Sequence, residues 1–166
     1  MMRVLGIDPG TLNMGYGVVD EVDAKISMVE CGVFKLPSKV PMEKRLCHFF
    51  DKLGTLIARC QPDEVAIEEP FVAENVRSAL AIGRAQAIAI LAAATKDVPV
   101  FRYLPAQVKQ QVTDYGGSSK EQVQKLVIMQ LGLTEFPYAE DAADALAVAI
   151  CHVYQSNYNR RLAKSA

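Results

Sequence analysis

The chain of 166 residues has no tryptophan, only two histidines and only four cysteines. No two cysteines form a Cys-x-x-Cys pair, so the commonest zinc and dithiol motifs are excluded. Two adjacent pairs, Cys47-His48 and Cys151-His152, contain zinc-ligand residue types. Neighbouring residues on a helix diverge by about 100°, so each pair would chelate poorly. We therefore expect buried, reduced thiols rather than a zinc site.

Membrane-spanning and secretory segments are not apparent either. No apolar run reaches the length that a membrane-spanning helix needs. The strand-like start at Met1 lacks the separate apolar core and cleavage site of a signal peptide. We expect a soluble, cytoplasmic protein without membrane association. The composition, 51% hydrophobic and 22% charged, is globular, and the length suits a single domain over 1–166 with a short basic tail from about residue 158.

A basic surplus is also lacking, since 18 basic residues face 19 acidic ones and the net charge is −1. Proteins that bind nucleic acid usually carry a basic excess, so this balance argues against such binding. The charges are unevenly distributed, however, because no acid follows Asp144 and the tail contains Arg160, Arg161 and Lys164. If several acids gather in one metal site, the rest of the surface is more basic than the total implies.

The order of apolar patterns indicates an α/β fold with a mixed sheet. Strands are predicted over 3–8, 14–20 and 25–34, and helical spacing follows over 42–60. The other elements expected from periodicity and capping residues are strands over 64–68 and 98–103 and helices over 78–95, from Pro105, from the Ser119 cap to Gly132, and from Glu140 to about 157. Three strands, a helix and then alternating strands and helices are typical of this class.

Four acids are difficult to explain as surface residues when taken together. Asp8 and Glu68 each end an apolar strand, where a carboxylate near the core needs a partner or a metal. Asp141 and Asp144, three residues apart on a predicted helix, share one face, and a divalent cation would relieve their repulsion. Singly, Asp8 could be a turn residue and Asp141 could complement the helix dipole. As a set, the four predict a magnesium or manganese site suited to phosphodiester hydrolysis.

Sequence motifs around these acids resemble those of the RuvC family of Holliday junction resolvases. The segment Gly6-Ile7-Asp8-Pro9-Gly10-Thr11 resembles the family's opening motif, although other folds of the superfamily share it. The motifs that follow in order are Gly15-Tyr16-Gly17, Ala66-Ile67-Glu68, Gln107-Val108-Lys109-Gln110 with Lys120, and Asp141-Ala142-Ala143-Asp144-Ala145-Leu146-Ala147. The resemblance spans about residues 3–155. It implies an RNase H-like fold, an α/β fold with a five-stranded mixed sheet flanked by helices, in which the second strand is antiparallel and the first and fourth strands are neighbours.

The resemblance also implies an activity. It implies a magnesium-dependent crossover junction endodeoxyribonuclease that acts as a homodimer in DNA recombination and repair, resolving four-way junctions by paired symmetric nicks. Two Mg²⁺ per active site, which Mn²⁺ could replace, would be held by four acids, and a lysine would help to stabilise charge in the transition state. The implied catalytic residues are Asp8, Glu68, Asp141, Asp144 and Lys120. The implied partners are four-way junction DNA, a second copy of the chain and the RuvA–RuvB branch-migration complex.

Further residues are expected at the DNA. The resemblance implies phosphate contacts for Lys109 and Lys120, a backbone contact for Arg77, and for Phe71 either a wedge against unstacked bases or a place in the core. The alanine-rich helix is a candidate dimer interface or, alternatively, an ordinary sheet-packing helix. Glu69 is an additional acid that should point away from Glu68 in an extended strand, so we expect it outside the metal site.

Two other functions remain open. The opening motif also fits YqgF-like nucleases of the RNase H superfamily, which act on RNA, whereas the later motifs favour RuvC. A junction-binding protein without catalysis is the other alternative, and the crowding of four acids argues against it. A kinase-like phosphotransferase would need two lobes around its nucleotide, and the chain is too short for them.

Overall fold

The computed structural model describes residues 1–69, 75–135 and 139–165. Within these ranges a five-stranded sheet is combined with helices that follow its third, fourth and fifth strands. The elements in chain order are β1 (Met2–Asp8), β2 (Asn13–Val22), β3 (Lys25–Lys35), α1 (Met42–Cys60), β4 (Glu64–Glu68), α2 (Val76–Ala94), β5 (Val100–Tyr103), α3 (Pro105–Thr113), α4 (Lys120–Gln130) and α5 (Glu140–Ser165).

The sheet has the order β3-β2-β1-β4-β5. The second strand, β2, runs antiparallel to β1 and β3, while β1, β4 and β5 are parallel. This arrangement confirms the predicted mixed sheet with neighbouring first and fourth strands. Because Ile7 pairs with Ile67, the residues that follow them, Asp8 and Glu68, lie side by side where the two strands end.

Helices cover both faces of the sheet because the strands are apolar on both sides. On one face, α1 and α2 contribute Phe49, Leu53 and a row of alanines to a core that includes Leu5 and Ile7. On the other face, α5 packs with α3 and α4 in a second core. Successive residues of β1 therefore belong to different cores, Val4 to the second and Leu5 to the first, because side chains along a strand alternate between its two faces.

The long helix α5 lies very close to the strands beneath it. A Cβ atom added to Gly6 would lie 2.0 Å from the carbonyl oxygen of Ala145, and one added to Gly15 would lie 2.0 Å from that of Asp141. Only glycine leaves room for such a backbone approach. As a result, the first turns of α5, which contain Asp141 and Asp144, rest directly against β1, which ends at Asp8, and against the part of β2 that pairs with Asp8.

A buried polar network fastens α5 to two strands. The Tyr103 hydroxyl lies 2.6 Å from Nδ1 of His152, and Nε2 of His152 lies 2.5 Å from Oε2 of Glu64. With the proton on Nε2, His152 donates to the Glu64 carboxylate and accepts from Tyr103. Burial lowers the pKa of His152, and this effect exceeds the opposing influence of Glu64. His152 is therefore a neutral structural residue of the core rather than a zinc ligand paired with Cys151.

Several element bounds differ from those expected, among them the start of β5 and the end of α5. The strand β5 begins at Val100 rather than at residue 98, because the Val98 amide donates to the Ala93 carbonyl at the end of α2. The last helix continues to Ser165, so the residues expected as a basic tail from about 158 are helical.

The helix α2 is long and apolar enough, by length and composition alone, to cross a membrane. The expectation that no segment of the chain meets this criterion was therefore wrong. The core helix of a soluble protein can pass the same test, and a single such helix is weak evidence for a membrane span. The helix uses Ala85, Ala89, Ala92 and Ala93 to pack into the core that it shares with α1.

Candidate active site

Five of the expected site residues line one cavity of about 270 Å³. Asp8 and Glu68 enter it from the ends of β1 and β4, and Asp144 enters from the first turns of α5. Lys109 of α3 and Lys120, the first residue of α4, complete its charged lining. The apolar part of the wall consists of Pro105, Val108, Val123 and Ala147. Residues from five separate elements thus meet in one place.

Ionisation of the two strand-end acids, Asp8 and Glu68, is disfavoured in this cavity. Burial raises the pKa of Asp8 to about 8, with further contributions from the charges of Glu68, Asp144 and Asp141. Burial and the charge of Asp144 raise the pKa of Glu68 to about 7. In both acids, burial and the negative charge of neighbouring carboxylates raise the pKa together. A cation between these groups would favour their ionised forms.

Lys120 forms ion pairs with two acids of α5, one of which lines the cavity. Its Nζ lies 2.9 Å from Oδ2 of Asp144 and 3.2 Å from Oε2 of Glu140. Burial alone would lower the pKa of Lys120, but its hydrogen bonds and charge interactions with the two acids outweigh burial, and the net shift is upward. Burial likewise raises the pKa of Asp144, and Lys120 opposes that shift. The ammonium therefore remains charged and offsets part of the acidity of the site.

Asp141 lies beside the cavity rather than in its lining. The residue is half-buried one turn before Asp144, and its charge contributes to the raised pKa values of Asp8 and Asp144. Its backbone carbonyl rests over Gly15. Asp141 thus acts electrostatically on Asp8 and Asp144, while the other three expected acids line the cavity.

The donor set suits a hard divalent cation such as Mg²⁺ or Mn²⁺, because every acidic donor is a carboxylate oxygen. The raised pKa values of Asp8 and Glu68 indicate a local excess of negative charge that such a cation would neutralise. In the ranges that the structure describes, however, no group of three or more His, Cys, Asp or Glu side chains is arranged so that it could hold a metal ion. The residues fit the ion by chemistry and charge, while the side-chain arrangement is not that of a chelate.

The expected DNA contacts are only partly brought together. Lys109 and Lys120 line the cavity with the acids. Arg77 is exposed in the first turn of α2 and is not among the residues that line this cavity. Phe71 lies outside the described residues. Glu69 forms an ion pair with Arg102, with 3.5 Å between Oε1 of Glu69 and Nη1 of Arg102, and it is not among the residues that line the cavity.

The sequence did not draw attention to Glu140. This acid lies directly before Asp141 and shares the ammonium of Lys120 with Asp144. Glu140 and Asp144 are four residues apart and therefore share one face of α5, and this spacing is the feature of the sequence that could have indicated Glu140. The partnership with Lys120 depends on how α4 packs against α5, and no local pattern reveals it.

Comparisons with known proteins agree with these observations. The family model described as crossover junction endodeoxyribonuclease RuvC matches residues 4–152. A RuvC from Dehalococcoides mccartyi is 49% identical over 151 residues, covering 91% of this chain and 92% of the relative. A RuvC from Chloroflexus aggregans is 46% identical, covering 92% of this chain and 93% of the relative.

A solved structure of high similarity extends this agreement to the fold. The structure of Thermus thermophilus RuvC in complex with a Holliday junction substrate superposes with a TM-score of 0.91 at 34% identity. The match covers 96% of this chain and 97% of that one. On the family match and on these relatives, the chain belongs to the RuvC family of crossover junction endodeoxyribonucleases.

Proposed function

We propose that this protein resolves four-way (Holliday) DNA junctions by cutting two strands at symmetric positions through two-metal phosphodiester hydrolysis. One observation carries the proposal. The strand-end acids Asp8 and Glu68 meet Asp144 and two lysines in a single cavity, in a chain of the RuvC family. The Thermus thermophilus relative, whose structure contains a Holliday junction substrate, supports the choice of DNA substrate.

The four acids Asp8, Glu68, Asp141 and Asp144 would hold the metal, for which we propose two Mg²⁺ ions, with Mn²⁺ able to replace them. Bound divalent cations supply activation of water and stabilisation of the leaving oxygen in such reactions. Asp8 and Glu68 are partly buried in the lining of the cavity. Their places at the ends of two neighbouring strands fix where the two carboxylates enter it.

The lysines would act on the phosphate. Lys120 carries a charged ammonium at the cavity wall, where it can donate a hydrogen bond to a phosphate oxygen as negative charge develops. Lys109 lies on the same wall, and its charge opposes the rise in the pKa of Glu68, which supports a role for Lys109 beside the acids. We propose a phosphate contact for Lys109, and backbone and base contacts for Arg77 and Phe71 near the crossover.

A homodimer would bring two such cavities to one junction. The helix α2 buries its alanines in the core but exposes Leu80 at 59% and Leu91 at 50%. Together with Val76 at 65% exposure, these side chains fall within about 60° on one side of the helix. This apolar stripe supports pairing of α2 with its counterpart in a second copy. Cooperation with the RuvA–RuvB complex stays a prediction.

Three substrates test the proposal when each is incubated with the protein and Mg²⁺: a synthetic four-way junction, plain duplex DNA and structured RNA. We expect paired nicks on the junction alone. Cleavage of RNA instead would favour the YqgF-like alternative. Junction binding without cleavage under either Mg²⁺ or Mn²⁺ would favour a binding protein without catalysis.

A variant control assigns any cleavage to this cavity. We expect Asp8→Asn to bind the junction with wild-type affinity and to lose cleavage, because the change removes a donor charge but keeps the side-chain size. Cleavage at the wild-type rate by Asp8→Asn would remove Asp8 from the active site.

A further inference from the structure

Glu140 and Asp144 share one ammonium, yet they differ in their surroundings. The Lys120 nitrogen is 3.2 Å from the carboxylate of Glu140 and 2.9 Å from that of Asp144. The side chain of Glu140 is 72% exposed, whereas that of Asp144 is 23% exposed and lines the cavity. Lys120 thus bridges an acid inside the site and an acid at its solvent edge.

The bridge matters when a divalent cation engages Asp144. The cation and the ammonium then compete for the same carboxylate, since two positive charges at one oxygen repel each other. A lysine whose sole partner was Asp144 would be released into water on its flexible stem. Lys120 instead keeps a second carboxylate, Glu140, one turn earlier on the same helix.

We propose that Glu140 is a positioning residue that retains Lys120 at the edge of the active site when a cation takes Asp144. Glu140 does this as an ion-pair partner of Lys120, without touching the reacting atoms. The inference rests on the proposed function, because it assumes a metal-dependent nuclease at this cavity. It gives a role to an acid that the four-acid site does not use.

Two consequences follow for a Glu140→Gln variant. The cation must displace an ammonium that has no other carboxylate to move to, so Mn²⁺ affinity falls. An exposed ion pair of this kind corresponds to about a two- to five-fold change in an equilibrium constant. Lys120 is also less often beside the phosphate, so single-turnover cleavage at saturating Mn²⁺ falls by a similar factor. Junction affinity without metal should not fall, because no DNA-binding group is removed.

The test is a double-mutant cycle read by Mn²⁺ titration with electron paramagnetic resonance, a readout that is independent of cleavage. Glu140→Gln and Lys120→Gln are made singly and together. If Glu140 acts through Lys120, the loss of affinity caused by Glu140→Gln disappears in the Lys120→Gln background. If the same loss persists there, Glu140 acts as a separate charge or ligand and the inference is overturned.

Two further variants serve as controls. Glu140→Asp keeps the charge and should recover most of the wild-type Mn²⁺ affinity. Glu43→Gln removes another exposed acid, from the first turn of α1 and outside the cavity, and should leave Mn²⁺ affinity and cleavage unchanged. An equal loss in Glu43→Gln would show that net charge alone is responsible, which overturns the inference.

Failure of the inference and failure of the proposed function give different results. If the wild type binds Mn²⁺ and cuts the junction, and Glu140→Gln does both with the same affinity and rate, only the role of Glu140 is overturned. Wild-type protein that neither binds Mn²⁺ nor cuts overturns both. Wild-type protein that binds and cuts, with a loss in Glu140→Gln that vanishes without Lys120, supports both.

Discussion

The two faces of the sheet are packed in opposite ways. On the side of α1 and α2, large side chains such as Phe49 and Leu53 fill the space between helix and strand. On the other side, where α5 crosses β1 and β2, Gly6 and Gly15 let the helix backbone rest on the strands. We therefore distinguish a large-residue face, where buried side chains such as Phe49 and Leu53 pack against the sheet, from a glycine face, where the close approach of α5 sets the position of the acids proposed to be catalytic.

The largest effect on stability should come from the large-residue face. Phe49→Ala removes a fully buried ring and is expected to lower the free energy of unfolding by about 3–5 kcal/mol. Urea unfolding at low temperature measures this loss. Junction cleavage by the folded fraction should stay within about twofold of wild type, because the acids are positioned from the other face. A folded Phe49→Ala protein without cleavage would contradict the division between the faces.

On the glycine face, a single methyl group should damage activity more than stability. Gly6→Ala places a Cβ 2.0 Å from the Ala145 carbonyl, so α5 must move away from β1. Overpacking of this kind costs about 1–3 kcal/mol. A displacement of about 1 Å at a reacting group can lower the rate about 100-fold. Single-turnover cleavage and urea unfolding measure the two effects, and wild-type cleavage in Gly6→Ala would show that the close approach of α5 does not set the site.

The acids on the glycine face should cost stability when no metal is present. The pKa of Asp8 is raised from 3.8 to about 8 in the folded protein, so folded Asp8 holds its proton more tightly than unfolded Asp8 between these values. Stability of the wild type should therefore fall as pH rises through this window, by about 1 kcal/mol or more at pH 8 relative to Asp8→Asn.

Urea unfolding with a chelator present, at pH 4 and at pH 8, provides the measurement for Asp8→Asn. The variant should exceed the wild type in stability at pH 8 and equal it near pH 4. Addition of Mn²⁺ at pH 8 should stabilise the wild type more than the variant. Equal stability of the two proteins at both pH values would contradict the raised pKa of Asp8.

The smallest effect is expected from a glycine that faces no neighbour. A Cβ added to Gly54 in the middle of α1 meets no atom within 4 Å. Gly54→Ala should therefore raise the free energy of unfolding by about 0.5–1 kcal/mol, through helix propensity alone, and leave cleavage unchanged. The variant is the matched control for Gly6→Ala, and a loss of cleavage in it would mean that any added methyl group is harmful.

Local patterns in the sequence were sufficient to predict most elements. Apolar spacing predicted α1 over 42–60 and the structure has the same bounds, because an amphipathic helix carries a complete periodic signal. The cap of α4 was also predicted, and Ser119 and Gln122 form the capping box. The adjacency of β1 and β4 came from the family resemblance, since strand order is a property of distant parts of the chain.

The parts of the site that could not be predicted are those that depend on packing between elements. The bridge from Lys120 to Glu140 joins two successive helices, and it depends on how α4 and α5 pack rather than on a pattern within either helix. The separation of Asp141 from the cavity lining depends on the depth at which α5 rests against Gly15. The acids themselves were identifiable because Asp8 and Glu68 each end an apolar strand and because Asp141 and Asp144 share one face of a helix, but the surroundings of each acid were not.

The central claim is that carboxylates from separate strands and a helix share one divalent cation site. A crystal structure of the protein soaked with Mn²⁺, with the ion located by its anomalous scattering, tests this claim most directly. We expect Mn²⁺ bound among Asp8, Glu68, Asp141 and Asp144, with the Lys120 ammonium beside Glu140. A well-diffracting, Mn²⁺-saturated crystal in which the ion is bound elsewhere, with Lys120 still on Asp144, would contradict the account.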